Sequence, residues 1–158
     1  MTPHMIRIMS AGLLGLAILG GCQLSSEAAS ARSSSEQAKL VPLSVVSGNG
    51  AHHFQVEVAK TDAEQERGLM FRPSLAPDRG MIFPFASPRP ATFWMKDTMI
   101  PLDLIFVRAD GTIARIAAMA TPYSLDPIQV GEPVAAVLEI AGGRAQALGI
   151  VEGDTVRW

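Results

Sequence analysis

Apolar and polar residues alternate in short runs broken by turn residues through most of the chain, which is the pattern of half-buried strands. LVPLSVVS (40–47) is followed by a Gly-Asn-Gly turn and by HFQVEVA, in which Phe54, Val56 and Val58 alternate with Gln55 and Glu57. One stretch departs from this period. In TDAEQERGLMFR (61–72), Thr61 and Glu64 have the spacing of a capping box, and acidic residues crowd the first turn, where the helix dipole favours them. It predicts a helix stopped by Pro73. GMIFPF (80–85) is apolar throughout and predicts a short buried strand. DLIFVR and TIARIA flank Asp110-Gly111, a hairpin turn signal, and PVAAVLEI (133–140) predicts another strand. GGRAQALGI reads as a short helix closed by Gly149, and TVRW as a terminal strand. The sum is seven or eight strands with one or two short helices. Short connections make most pairs antiparallel, so the predicted class is mainly β, a compact antiparallel sandwich or partly open barrel.

FWMKDTMIPLDLIF (93–106) breaks the pattern by placing Lys96, Asp97 and Asp103 in an aromatic and aliphatic run. Strand geometry puts Thr92, Trp94 and Lys96 on one face; Pro101 can open the next strand, with Leu102, Leu104 and Phe106 toward the core and Asp103 opposite with Ile105. Two readings follow. Lys96 and Asp103 could form a cross-strand ion pair that fixes the hairpin, worth about 0.2–1 kcal/mol if exposed. Alternatively, the loop opens on a cleft with Trp94 as an aromatic floor and Lys96, Thr98 and Asp103 as polar contacts. Arg72, beyond GLMF, either belongs to a solvated helix end or reaches a hairpin carboxylate or an anionic ligand. Glu139, inside an apolar strand, is its candidate partner unless alternation turns it to solvent.

The first two dozen residues change the picture. Arg7 followed by IMSAGLLGLAILGG reads as a secretory signal too short to span a bilayer, and LGGC ends at Cys22, the chain's one cysteine. The motif resembles a bacterial lipobox; the alternative is an ordinary signal peptide that happens to contain a Cys. The lipobox predicts a signal peptide over 1–21, a lipidated Cys22 with a Ser/Ala-rich tether over 22–39, and one globular domain over 40–158. It also predicts a lipid-anchored protein of the cell envelope facing the periplasm, with Gln23 after the Cys favouring the outer membrane. Once Cys22 is acylated no thiol remains, which removes cysteine nucleophiles, disulfides and cysteine zinc sites.

Composition narrows the chemistry further. A formal charge of −2 with 18% charged residues gives no basic footprint for nucleic acid. His52 and His53 are adjacent, so on a strand they face opposite ways and make a poor metal site or catalytic base. The methionines Met70, Met81, Met95, Met99 and Met119 lack the clustered spacing of copper sites and read as core filling. No Gly-x-Ser-x-Gly elbow, phosphate loop or dinucleotide fingerprint is present, so no cofactor and no metal are expected.

GLMFRPSL, GMIFPF, FWMKDTMIPLDLIF, the Asp-Gly turn and VLEIAGG, in this order, resemble the bacterial and archaeal family named domain of unknown function 192, over residues 53–158. The resemblance implies a small mainly-β domain, often exported, and brings no established reaction. Three functions stay open: a non-enzymatic envelope domain binding a small molecule or peptide through the Trp94 hairpin, an assembly or quality-control factor holding another envelope protein, and a carboxylate-based hydrolase. The first is preferred, because missing thiols and scarce histidine leave few nucleophile–base arrangements.

Overall fold

The alternating runs become nine strands in the computed structural model, which describes residues 39–158. The signal segment, Cys22 and the tether up to residue 38 lie outside the described residues. The order is β1 (Val41–Ser47), β2 (Gly50–Val58), α1 (Asp62–Arg67), β3 (Arg79–Arg89), β4 (Thr92–Phe93), β5 (Leu102–Val107), β6 (Ile113–Ala120), β7 (Ile128–Gln129), β8 (Val134–Ala141), α2 (Arg144–Leu148) and β9 (Thr155–Arg157). Seven strands form one mixed sheet in the order β6-β5-β8-β3-β2-β1-β9, and β4 pairs with β7 in a two-stranded ribbon. The protein is mainly β, as the alternation predicts. It carries nine strands because the ribbon, too short to show a period, adds to the count.

One pairing is parallel. β2 and β3 run side by side in the same direction because α1 and the loop after it carry the chain back across the sheet. The capping box at the start of α1 forms as predicted: Thr61 Oγ1 accepts from the Glu64 N–H at 3.2 Å, and Glu64 Oε2 accepts from the Thr61 N–H at 2.8 Å. The helix stops earlier than Pro73 suggests. Gly68, at φ 47°, turns the chain out after Arg67.

The sheet curls until its edges meet at one end without closing a barrel. A single bridge joins Thr112 to Thr155, and hydrogen bonds from Ile113 N–H to Asp154 O (2.8 Å) and Val156 N–H to Gly111 O (2.8 Å) secure it. The concave side holds one core, built around Val45, Val56, Ile82, Ile105, Leu138 and Ile140. The convex side holds a second, built around Leu69, Phe83, Met95, Leu104, Phe106 and Val137. Every residue of β5 is buried for this reason. Leu102, Leu104 and Phe106 face the convex core as predicted, and Ile105 and Val107, on the opposite side, face the concave one.

Asp103 is the polar exception inside β5 and is fully buried. Its Oδ1 accepts from the backbone N–H groups of Met119 and Gly143, and its Oδ2 from that of Ala145, each at 2.8 Å. One carboxylate thereby pins the bulge in β6 at Met119, a non-glycine residue at φ 53°, and caps the first turn of α2, whose Gly143 has no side chain to do so. The Lys96–Asp103 ion pair does not form. β4 ends at Phe93, so Lys96 lies on the following loop and is exposed, while Asp103 spends its lone pairs on backbone donors. Two of the methionines depart from the core-filling expectation: Met81 and Met95 are buried, but Met99 and Met119 are exposed.

Candidate functional site

β8 sits in the middle of the sheet, with β3 on one side and β5 on the other. Alternation along VLEI sends Leu138 and Ile140 into the concave core and Val137 and Glu139 to the convex face. Glu139 pairs in register with Met81 of β3 and Leu104 of β5, so its strand neighbours are apolar. Gly80 lets the two backbones approach at this point: a Cβ there would lie 2.4 Å from the carbonyl oxygen of Glu139.

The layer over the convex face is made by the end of α1 and the segment after β4. Phe83 and Phe93 meet edge to face with centroids 5.1 Å apart, and Phe93 and Phe106 do so at 6.3 Å. Gly68 lies over Phe83 and Glu139; a Cβ there would be 3.2 Å from the Phe83 ring and 3.9 Å from Glu139 Oε2. A cleft of about 270 Å³ remains between these parts. Glu139 and Phe83 line it together with Phe93, Trp94 and Thr98, and Arg67 and Arg89 are exposed at its margin.

Glu139 is 5% exposed, and no hydrogen bond reaches its carboxyl among the described residues. Burial therefore acts on it unopposed and pushes its pKa up to about 8, so the group holds its proton at neutral pH. A neutral carboxylic acid can donate a hydrogen bond, which a carboxylate cannot. Thr98 is also buried; its hydroxyl donates to the Lys96 carbonyl at 3.2 Å, leaving its oxygen free to accept. Trp94 is 49% exposed and carries the Lys96 ammonium 5.5 Å from its ring centroid. Arg89 stacks on Phe85 at 4.0 Å in the same way.

The loops that frame the cleft are tied to one another through backbone. Phe71 N–H donates to Asp97 O (2.9 Å), Met95 N–H to Ser124 O (2.9 Å) and Tyr123 N–H to Thr98 O (3.1 Å). Phe71, Asp97 and Tyr123 all take left-handed φ values, 62°, 52° and 61°, which cost non-glycine residues energy that this bonding offsets.

Of the residues the sequence nominates, the structure brings Trp94 and Thr98 to the cleft and sets Lys96 against Trp94. Asp103 belongs to the concave side and is occupied by backbone. Arg72 does not reach Glu139. Its guanidinium forms a two-point pair with Glu57, with Nη2 at 2.7 Å from Oε2 and Nη1 on Oε1.

Residues 44–158 match the profile of domain of unknown function 192, described as "Uncharacterized ACR". The chain belongs to that family. A member-like structure from Novosphingobium aromaticivorans, a protein of unknown function, superposes with a TM-score of 0.74 at 50% identity, over 75% of this chain and 85% of that one. A second, from Sinorhizobium meliloti, is described as a candidate transcription regulator; it superposes with a TM-score of 0.71 at 41% identity, over 73% of this chain and 91% of that one. No curated protein matches the chain. In this member of the domain of unknown function 192 family, the fold places the buried Glu139 carboxyl in an aromatic cleft. In sequence, Glu139 reads as a partner for Arg72 or as a solvent-facing residue. The usable signal is its position in VLEI, because a strand apolar on both sides has no solvent face to offer.

Proposed function

We propose that this domain of unknown function 192 protein is a non-enzymatic binding module for a small, partly apolar molecule, held in the cleft between Glu139, Thr98 and Trp94. The observation that carries this reading is Glu139: a carboxyl that is only 5% exposed and has no hydrogen-bond partner among the described residues opens on an aromatic cleft, where a ligand can complete its hydrogen bonding. Hydrolysis is the less favoured reading: the other carboxylate lining the cleft among the described residues, Glu66, is exposed on α1, whereas a two-carboxylate mechanism needs its acids at a set separation. Regulation of transcription, the description given to the Sinorhizobium protein, finds no support in a chain with a formal charge of −2.

Trp94 supplies the reporter. In a Trp158→Phe background, a panel of small aromatic and aliphatic acids, amides, amines and sugars is expected to contain members that shift Trp94 fluorescence. The same members should bind Trp94→Ala at least tenfold more weakly by calorimetry, with the far-ultraviolet circular dichroism unchanged. A panel with no binder, or one whose binders are indifferent to Trp94→Ala, overturns the reading.

The same proposal sets the module in the cell envelope, tethered by acyl chains on Cys22. No helix among the described residues is long and apolar enough to cross a membrane, so anchoring would fall to the lipid. Cys22→Ala is expected to move the protein from the membrane pellet to the soluble fraction. Retention of Cys22→Ala in the pellet after a carbonate wash counts against lipid anchoring.

A further inference from the structure

We propose that the cleft selects a carboxylate carried on an apolar or aromatic body, with Glu139 donating its proton to one ligand oxygen and the Arg67 and Arg89 margin balancing the ligand's charge. This rests on the binding-module reading and names the ligand class for that site.

Three features of the cleft point the same way. Its interior offers one strong donor, the protonated carboxyl of Glu139, since the Thr98 hydroxyl proton is already committed to Lys96 O. The charged groups that line the cleft besides Glu139 are few: Glu66 and Arg67 come from α1 and Arg89 from the end of β3. Met81, Phe83 and Leu104, from the flanking strands, are apolar. With Glu139 uncharged, the lining carries two cations, Arg67 and Arg89, against one anion, Glu66, which favours an anionic ligand head and disfavours an amine.

Walls made by Phe83, Phe93 and Trp94 accept an apolar body, and about 270 Å³ is room enough for a single ring or a short branched chain. The carboxyl–carboxylate hydrogen bond also explains why a neutral acid should stand there. An ionised Glu139 would repel the ligand head, whereas the protonated one forms a short, charge-assisted bond to it. A free organic acid and the C-terminus of a peptide share this chemistry.

Hydrocinnamate, its amide and phenylpropylamine form a matched set of probes, and phenylalanine-terminated dipeptides provide the peptide arm. Binding to the full chain in detergent, with Trp158→Phe, is followed by Trp94 fluorescence from about pH 6 to about pH 9.5. Hydrocinnamate is expected to bind at least tenfold more tightly than the amine. Its affinity should hold steady below about pH 8 and fall roughly tenfold per unit above it, as Glu139 loses its proton. Glu139→Gln keeps an N–H donor and should bind hydrocinnamate with no such fall. Stronger binding of the dipeptides than of hydrocinnamate assigns the ligand to peptide C-termini, and the reverse assigns it to free acids.

An amine that outcompetes the acid, or acid binding that stays flat across the pH range in the unsubstituted protein, overturns the carboxylate assignment while leaving a small-molecule cleft in place. Failure of every probe in the set overturns the assignment as well, and joined to a silent broad panel it removes the binding module itself.

Discussion

Asp103→Ala is expected to lower the unfolding free energy by roughly 3–5 kcal/mol, read from the shift in urea midpoint at constant slope. The carboxylate is fully buried and satisfies three backbone donors, at Met119, Gly143 and Ala145. Truncation leaves all three N–H groups unpaired in the interior and removes a charge-assisted bond from each. It also frees two structures at once, because the β6 bulge and the first turn of α2 share this one acceptor group. Asp103→Asn is the informative control. An amide offers one oxygen in place of two and turns an NH₂ toward one of the donors, so a loss of about 2 kcal/mol is expected. A loss below about 1 kcal/mol for Asp103→Ala would mean that the three donors find other partners, and the account of Asp103 as the clamp would fail.

Glu139 produces the opposite effect. Its pKa is raised from 4.5 to about 8 in the folded protein by burial. Between these values the folded chain binds more protons than the unfolded one, so stability is highest below about pH 4.5 as far as this group is concerned, and declines as pH rises toward 8. Above that the penalty is complete and flat. At about 1.4 kcal/mol for each unit of displacement, the decline is on the order of several kcal/mol. Glu139→Gln removes the ionisation and is expected to melt close to the parent near pH 5 but clearly above it near pH 9. Thermal melts of both proteins across that range provide the measurement. Parallel curves would show that Glu139 ionises in the fold as freely as in the open chain, and the uncharged acid of the cleft would be lost.

Much of the architecture is legible in the residues. Phe54, Val56 and Val58 set β2, the Thr61–Glu64 pair starts α1, Asp110-Gly111 turns β5 into β6, and Gly149 ends α2. These signals are local, and so they can be read one at a time. The β4–β7 ribbon shows no such signal, because two-residue strands have no period and the partners are separated by more than thirty positions.

The site divides along the same line. Trp94 and Thr98 are visible as unusual residues in FWMKDTMI, and they do meet at the cleft. Lys96 and Asp103 sit close in sequence and suggested a pair, yet the chain leaves the strand after Phe93 and the two side chains part to opposite sides of the sheet. Arg72 finds Glu57 on β2, a partner supplied by the crossover between β2 and β3 and not by the sequence nearby. Glu139 shows in sequence only through the run VLEI, apolar on both faces; that Leu69 and Met95, from distant segments, cover its face is not local information.

The meeting of the sheet's two margins has a consequence for how the protein behaves when molecules are crowded together. β9 is three residues long, its register with the start of β6 is already used, and the Ile116 N–H of β6 donates to the Glu152 carboxylate at 3.3 Å. An extended segment from a neighbouring molecule would find few free rungs there and a negative charge in its way. Strand addition is thereby hindered where the two margins meet, at β9 and the start of β6.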